Sequence, residues 1–280
     1  MDINERRKEI VNILGDRDYV TVEEFSRVLS VSAVTIRTDL SALEREGILI
    51  RTHGGAMRSE KKAKERYISN TLGEFEEEKK AVARKASSLI QDGYTVIIDS
   101  GSTTIHLTRY LKDRNITVVT NNVLVMELLK NEESINVVAL GGSLRRASMG
   151  TIGPLANEAV KAMNVDIYFM GAAAYTEETI TSSDMIESEL KRNMIHASDK
   201  VVFLADSSKY GRKAFSTICS WDDIDTFVVD KIDPDFRRRL EEKGVEVISA
   251  LQLQQDRNLH KEHSCVQWHG MDSAPCTFRT

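Results

Sequence analysis

Cysteine is scarce in this chain. Cys219, Cys265 and Cys276 are the only three in 280 residues, and they form no C-x-x-C pair and no metal-ligand spacing. That excludes a disulfide framework and points to a reducing cytoplasm. Long apolar runs are missing too: none approaches the ~20 residues a membrane helix needs, so no membrane association is expected. The opening stretch, "MDINERRKEI", is charged and periodic and lacks the apolar core of a secretory signal. Positive charge is not in surplus either. A formal net charge of −5 excludes a protein that coats nucleic acid indiscriminately. A local DNA-reading surface stays open, because phosphate attraction acts within a Debye length of ~8 Å.

What is present is ordinary for a globular protein, with 41% hydrophobic and 29% charged residues. The length suits one sizeable α/β domain and a smaller companion. Four segments can be read from the pattern: 1–57, 58–73 as a linker, 74–250, and an atypical or disordered tail from 251 to 280. The linker holds "KKAKER" at 61–66, a local net charge of +3 that reads as a solvated run. The tail has no periodicity. Its His260, His263, Cys265, His269 and Cys276 match no standard zinc spacing, so no metal and no cofactor are expected.

In the first segment, Ile3, Ile10, Ile13 and Leu14 share a helical face that closes at Gly15. "TVEE" at 21–24 is a capping box that opens a short second helix. After a brief turn, Ser32 caps a third helix with Ala33, Ile36, Leu40 and Leu43 inward, ended by Gly47. Ile48 and Ile50 then alternate into a Gly54-Gly55 hairpin turn. Helix, helix, turn, helix and hairpin in fewer than 60 residues spell a winged helix-turn-helix, whose third helix would lie in a major groove of double-stranded DNA. Opposite the apolar stripe that helix shows Val34, Thr35, Thr38 and Ser41, with Arg37 at the flank. Threonines can bond base edges, Val34 can touch a thymine methyl, and Arg37 can take a phosphate or a guanine. Arg51 and His53 on the wing are placed for phosphate or minor-groove contacts.

From residue 74 strands alternate with amphipathic stretches, at 94–99, 116–122, 135–142, 166–172, 200–206, 225–230 and 245–249. Near-continuous Val/Ile runs spaced by helices mean a mostly parallel sheet covered on both faces. Polar residues gather after the strands: Asp99, Ser100, Gly101, Ser102, Thr103 and Thr104 after the first, Asn121 and Asn122 after the second, and Gly141 and Gly142 after the third. Asp206 and Lys209 follow the fifth. Such strand ends are where open α/β sheets bind ligands. Ser100–Thr104 would seat an anion with backbone N–H groups and hydroxyls, Lys209 would supply countercharge, and Asp99, Asn121, Asn122 and Asp206 would hold hydroxyls. Asp184 and Glu187 open a helix with Lys191. They read either as a surface ion pair of ~0.3–0.5 kcal/mol or as a lid placing a carboxylate in the pocket.

"VTIRTDLSALEREGILIRTHGGA" (34–56) closely resembles the signature of the DeoR family of bacterial sugar-operon regulators. "DSGSTT", "TNN", "GG" and "DSSKYG" resemble that family's sensor domain in order and spacing. The resemblance covers roughly residues 3–250. It implies a sensor resembling the ribose-5-phosphate isomerase type of fold, a phosphorylated sugar or sugar alcohol as effector, and a homo-oligomer, dimer or tetramer. It carries Ser32, Thr35, Arg37, Arg51 and His53 to DNA, and Asp99–Thr104, Asn121, Asp206 and Lys209 to the ligand. Thr38 departs from the family, which usually shows a second arginine there, and this would retune the operator read.

The alternative is a sugar-phosphate isomerase or deaminase fused to a DNA-binding domain. An isomerase needs a general base over its substrate. In the related isomerases a carboxylate follows the diglycine loop, whereas "GGSLRRASMG" holds no acid between Gly141 and Gly150. No catalytic residue is therefore expected, and the pocket is read as a reporter of its ligand.

Overall fold

A computed structural model describes residues 2–15, 17, 19–45, 48–52, 54–58 and 66–251. Met1–Ala250 form one compact unit. Its first part is α1 (Ile3–Gly15), β1 (Tyr19–Thr21), α2 (Val22–Leu29), α3 (Ala33–Arg45), β2 (Leu49–Arg51) and β3 (Gly55–Arg58). The capping box is present: Glu24 N–H donates to Thr21 Oγ1 at 3.1 Å, and Thr21 N–H donates back to Glu24 Oε2 at 3.0 Å. Ser32 Oγ accepts from Thr35 N–H at 3.1 Å and so starts α3. Ile10, Val20, Phe25, Ile36, Leu40 and Ala56 meet in a sealed apolar core.

Two details differ from the sequence reading. Ile48 and Leu49 are both buried, so the expected alternation with Ile50 is broken where the chain leaves α3. The strand β1 was not expected at all. It pairs antiparallel with β3, which also pairs with β2, giving the order β1-β3-β2. A three-residue strand carries too little local pattern to announce itself, and its partner lies more than thirty residues away.

The second part runs α4 (Ile68–Thr71), α5 (Glu76–Ser87), β4 (Thr95–Ile98), β5 (Ile116–Thr120), α6 (Val123–Leu129), β6 (Ile135–Ala139), β7 (Ser143–Arg145), β8 (Gly150–Ile152), α7 (Pro154–Lys161), β9 (Val165–Met170), β10 (Ala174–Tyr175), β11 (Thr179–Ser182), α8 (Met185–His196), β12 (Ser198–Ala205), β13 (Ser216–Ser220), β14 (Thr226–Val229), α9 (Pro234–Glu242) and β15 (Glu246–Ser249). The seven runs read from the sequence form one sheet in the order β15-β14-β12-β9-β4-β5-β6. Every neighbouring pair in it is parallel. The fold is thus an N-terminal winged helix-turn-helix followed by a mostly parallel α/β domain. The antiparallel exceptions are β10-β11-β13 and the β7–β8 hairpin.

One face of the sheet packs under α5 and α6 through Val82, Ala86, Val125 and Leu129. The other packs under α7, α8 and α9 through Val160, Leu190, Met194 and Phe236. Covering both faces removes the reason for alternation, which is why the strands read as continuous apolar runs. From β4 the chain steps outward to β5 and β6, then returns to place β9 on the other side of β4. That reversal between β4 and β9 is the topological switch point where such sheets bind ligands. The segment after β4 is a 3-10 helix, Thr104–Tyr110.

Candidate functional site

A pocket opens over the C-terminal ends of β4, β9 and β12. Ser100, Gly101 and Ser102 come from the loop after β4, Gly171 and Ala172 from the loop after β9, and Asp206 and Lys209 from the loop after β12. Lys209 Nζ lies 3.4 Å from Thr103 Oγ1 and 3.9 Å from Asp206 Oδ2. Burial pushes the Asp206 carboxyl up, but Lys209, Lys79 and Arg212 outweigh it and hold the group below the usual carboxylate range. Asp206 is 1% exposed, and its Oδ2 accepts no hydrogen bond from any of the described residues. A buried ionised oxygen of this kind is a ready acceptor for a ligand hydroxyl.

Several residues expected in the pocket stand behind it. Asp99 is 1% exposed and does not line the cavity. Its carboxylate is taken by Lys191 Nζ, by Tyr168 Oη at 2.8 Å and by Gly171 N–H at 3.1 Å, contacts that tie it to the protein behind the pocket. Thr104 is fully buried and donates to the Asp99 carbonyl at 2.9 Å. Asn121 donates to the Thr151 carbonyl at 3.0 Å, and Asn122 Oδ1 caps α6 at Leu124 N–H at 2.8 Å. Gly142 adopts φ +134 in the turn into β7, where a Cβ would strike the Ile152 carbonyl. Gly141 and Gly142 are exposed and line no part of the pocket. The reason is geometric. Beta-strands sit ~4.8 Å apart, and the ends of β5 and β6 lie on the far side of β4 from the switch point.

Glu187 does reach the pocket wall. It accepts from Ser182 Oγ at 2.7 Å and from Ser100 Oγ at 3.1 Å. Its expected partner Lys191 turns instead to Asp99, and both lysine and aspartate are buried. Asp184 caps α8 through Glu187 N–H at 2.8 Å and lies 3.7 Å from Arg145 Nε.

The lining carries more positive charge than Lys209 and the diglycine-loop arginines alone supply. Arg66, Lys79, Arg145, Lys191 and Arg212 join Lys209 on the lining, against the carboxylates Glu74, Glu187 and Asp206. Arg145 lay in the diglycine loop and Arg212 three residues beyond Lys209, so both stood next to recognised motifs. Arg66 and Lys79 carried no such signal, because they belong to the segment read as a linker and to the helix after it.

On the N-terminal module, Val34 is 70% exposed on α3. Arg37 beside it is exposed, with no side-chain partner among the described residues. Thr38 and Ser41 donate to the backbone carbonyls of Val34 and Arg37, at 3.0 and 2.7 Å. The Thr35 and Ser32 hydroxyls lie 2.8 Å apart. Arg51 Nη1 donates to Ser41 Oγ at 2.6 Å, which ties the wing to α3. His53, residues 61–65 of the "KKAKER" run and the tail from 252 lie outside the described residues. Asp39, 2% exposed, takes Arg6 Nε at 2.6 Å and Arg7 Nε at 3.1 Å, clamping α3 to α1.

Residues 6–62 match the family described as DeoR-like helix-turn-helix domain, and residues 74–231 match the DeoR C terminal sensor domain. The chain belongs to the DeoR family. It is 36% identical to the HTH-type transcriptional regulator GlpR of Haloferax volcanii, over 88% of this chain and 98% of that one. It is 34% identical to the uncharacterized HTH-type transcriptional regulator YulB of Bacillus subtilis, over 89% and 98%. With the putative aga operon transcriptional repressor of Escherichia coli O157:H7 it shares 33% over 88% and 93%. A ribose 5 phosphate isomerase A from Neisseria gonorrhoeae shares 24% identity over 47% of this chain and 52% of that one, with a TM-score of 0.35, an overlap too small to carry an argument. This regulator is a DNA-binding transcription factor and not an enzyme, and the isomerase alternative is not favoured. No helix among its described residues is long and apolar enough to cross a membrane.

Arg37→Ala in this regulator is expected to weaken binding to its own promoter DNA by about 1–2 kcal/mol, roughly five- to thirtyfold. Fluorescence anisotropy at fixed salt measures this, with the unfolding midpoint unchanged as the control.

Proposed function

We propose that this regulator represses an operon for catabolism of a sugar or sugar alcohol, and that a phosphorylated sugar bound in the pocket releases it. The observation that carries this reading is the pocket at the β4/β9 switch point, where six cationic side chains face three carboxylates and Asp206 keeps a buried oxygen for a hydroxyl. A phosphate meets the cations and the Ser100–Ser102 loop, while Asp206 takes a hydroxyl of the sugar. Val34 and Arg37 on α3 read base edges or phosphate in the operator, and Ser32, Thr35, Thr38, Arg51 and His53 contribute further contacts to the DNA. Two or more protomers in the cytoplasm present paired heads to a repeated operator. The ligand shifts that equilibrium only by its differential affinity for the two arrangements. A coupling of ~2–3 kcal/mol corresponds to a roughly thirty- to over a hundredfold change in operator affinity.

The test is an anisotropy titration on the chain's own promoter, repeated with fructose 6-phosphate, glucosamine 6-phosphate, glycerol 3-phosphate and inorganic phosphate. Release by one of the organic phosphates supports the reading. Operator affinity unchanged across a broad panel of sugar and polyol phosphates overturns it. Lys209→Ala is expected to bind the operator normally and to stay bound when the releasing phosphate is added. A normal response in that variant removes Lys209 from the site.

A further inference from the structure

The first turn of α5 carries two adjacent buried charges that point to different parts of the molecule. Lys79 is 2% exposed, lines the pocket, and donates from Nζ to the Thr71 carbonyl. Glu78, one residue earlier and 5% exposed, forms an ion pair with Lys8 of α1. Consecutive helical residues are ~100° apart, so one rigid turn serves two directions at once. The route continues through charge. Arg6 and Arg7, on the same helix as Lys8, grip the buried Asp39 of α3, the helix that carries Val34 and Arg37.

The entry to α5 is also strained. Phe75 stands at φ +51, ψ +38, a left-handed conformation unfavourable for a bulky residue, and it lines the pocket as well.

We propose that Lys79 is an effector-binding residue and that α5 transmits its occupancy: an anion drawn to Lys79 shifts the first turn of α5, and the Glu78–Lys8 ion pair carries the shift through α1 to α3. This rests on the effector reading above and adds the path by which the pocket regulates the DNA-reading helix. A charged link suits the task. The Lys8–Glu78 pair joins α1 of the N-terminal module directly to α5 of the α/β domain.

Lys79 has a further property that gives a second readout. Burial first, and the nearby Lys209 and Arg66 cations in addition, lower its pKa to about 8 against the opposing pull of Asp206 and Glu74. The protonated ammonium holds an anion and the neutral amine does not. Affinity for a sugar phosphate therefore falls as pH rises from 7 to 9.

The experiment measures two constants for the full chain and its variants. One is calorimetric binding of the same three organic phosphates and of inorganic phosphate. The other is operator affinity with and without each probe. Glu78→Gln is expected to bind probe and operator within about threefold of the parent, while the effect of probe on operator falls from roughly thirtyfold or more to below about threefold. The charge exchange Lys8→Glu with Glu78→Lys is expected to restore much of that effect, which separates a lost link from a damaged fold. Lys79→Met is expected to lose at least tenfold in probe affinity, and Lys79→Arg to keep binding while flattening its decline between pH 7 and 9.

A wild type that no member of a broad panel of sugar and polyol phosphates releases overturns the effector reading and this inference with it. A responsive wild type matched by an equally responsive Glu78→Gln overturns only the transmission path. Unaltered probe affinity in Lys79→Met overturns the binding role.

Discussion

Lys191→Ala is expected to destabilise the α/β domain by about 3–5 kcal/mol, the cost of removing one partner from a buried ion pair. Lys191 and Asp99 have side chains 4% and 1% exposed, and no water-facing route compensates the carboxylate once the ammonium is gone. The remaining hydrogen-bond partners of the Asp99 carboxylate are neutral: the Tyr168 hydroxyl, the Gly171 N–H and the Thr104 hydroxyl. Burial, and Asp99 itself, drive the Tyr168 pKa well above the ordinary tyrosine value, so that hydroxyl stays a donor and never a second charge. The pair also sets the shape of the pocket, because Asp99 ties the end of β4 to the loop after β9 while Lys191 Nζ reaches the Gly171 carbonyl at 3.1 Å. Urea unfolding checks the prediction. The midpoint should drop with little change in slope, and Asp99→Asn with Lys191→Met should recover much of the loss. A Lys191→Ala midpoint within about 1 kcal/mol of the parent would mean the carboxylate is better solvated than its surroundings allow.

Gly55→Ala should cost about 3 kcal/mol in the N-terminal module and abolish tight operator binding, because overpacking against backbone cannot be relieved by a side-chain turn. A Cβ at Gly55 would stand 2.2 Å from the Val20 carbonyl oxygen and 2.8 Å from the Thr21 Cα, both main-chain atoms of β1. Admitting it means parting β1 from β3, the central strand of the three-stranded sheet. That sheet seats the wing beside α3. Gly54, its neighbour, would meet only the Tyr19 hydroxyl at 3.4 Å, so Gly54→Ala is the matched control with a much smaller effect. Promoter anisotropy and thermal unfolding of both variants check this, with calorimetric phosphate binding expected to persist in each. Equal behaviour of the two variants would sink the argument.

Much of the fold was legible because its causes are local. The Thr21–Glu24 box, the Ile36–Leu40–Leu43 stripe of α3 and the seven Val/Ile runs each follow from neighbours within a few residues or one strand length. The site was legible only in outline. The Ser100–Ser102 loop, Asp206 and Lys209 line the cavity as the strand-end pattern suggested, and Glu187 reaches it from the start of α8. Asp99, Asn121, Asn122 and the Gly141-Gly142 pair occupy equivalent strand ends and do not.

The sequence by itself determined the kind of protein this is: capping, periodicity and strand-end chemistry are short-range, and they spell a DNA-reading head and a covered parallel sheet. Tertiary structure decided which strand ends share a pocket, because strand order places β9 and β12 beside β4 on the side away from β5 and β6. It also decided which charges meet. Lys191 lies 92 residues from Asp99 and Lys8 lies 70 from Glu78, and nothing in a local pattern links groups so distant along the chain. Those pairings come from long-range packing, where burial makes every unpaired charge expensive and the fold selects the partner that satisfies it.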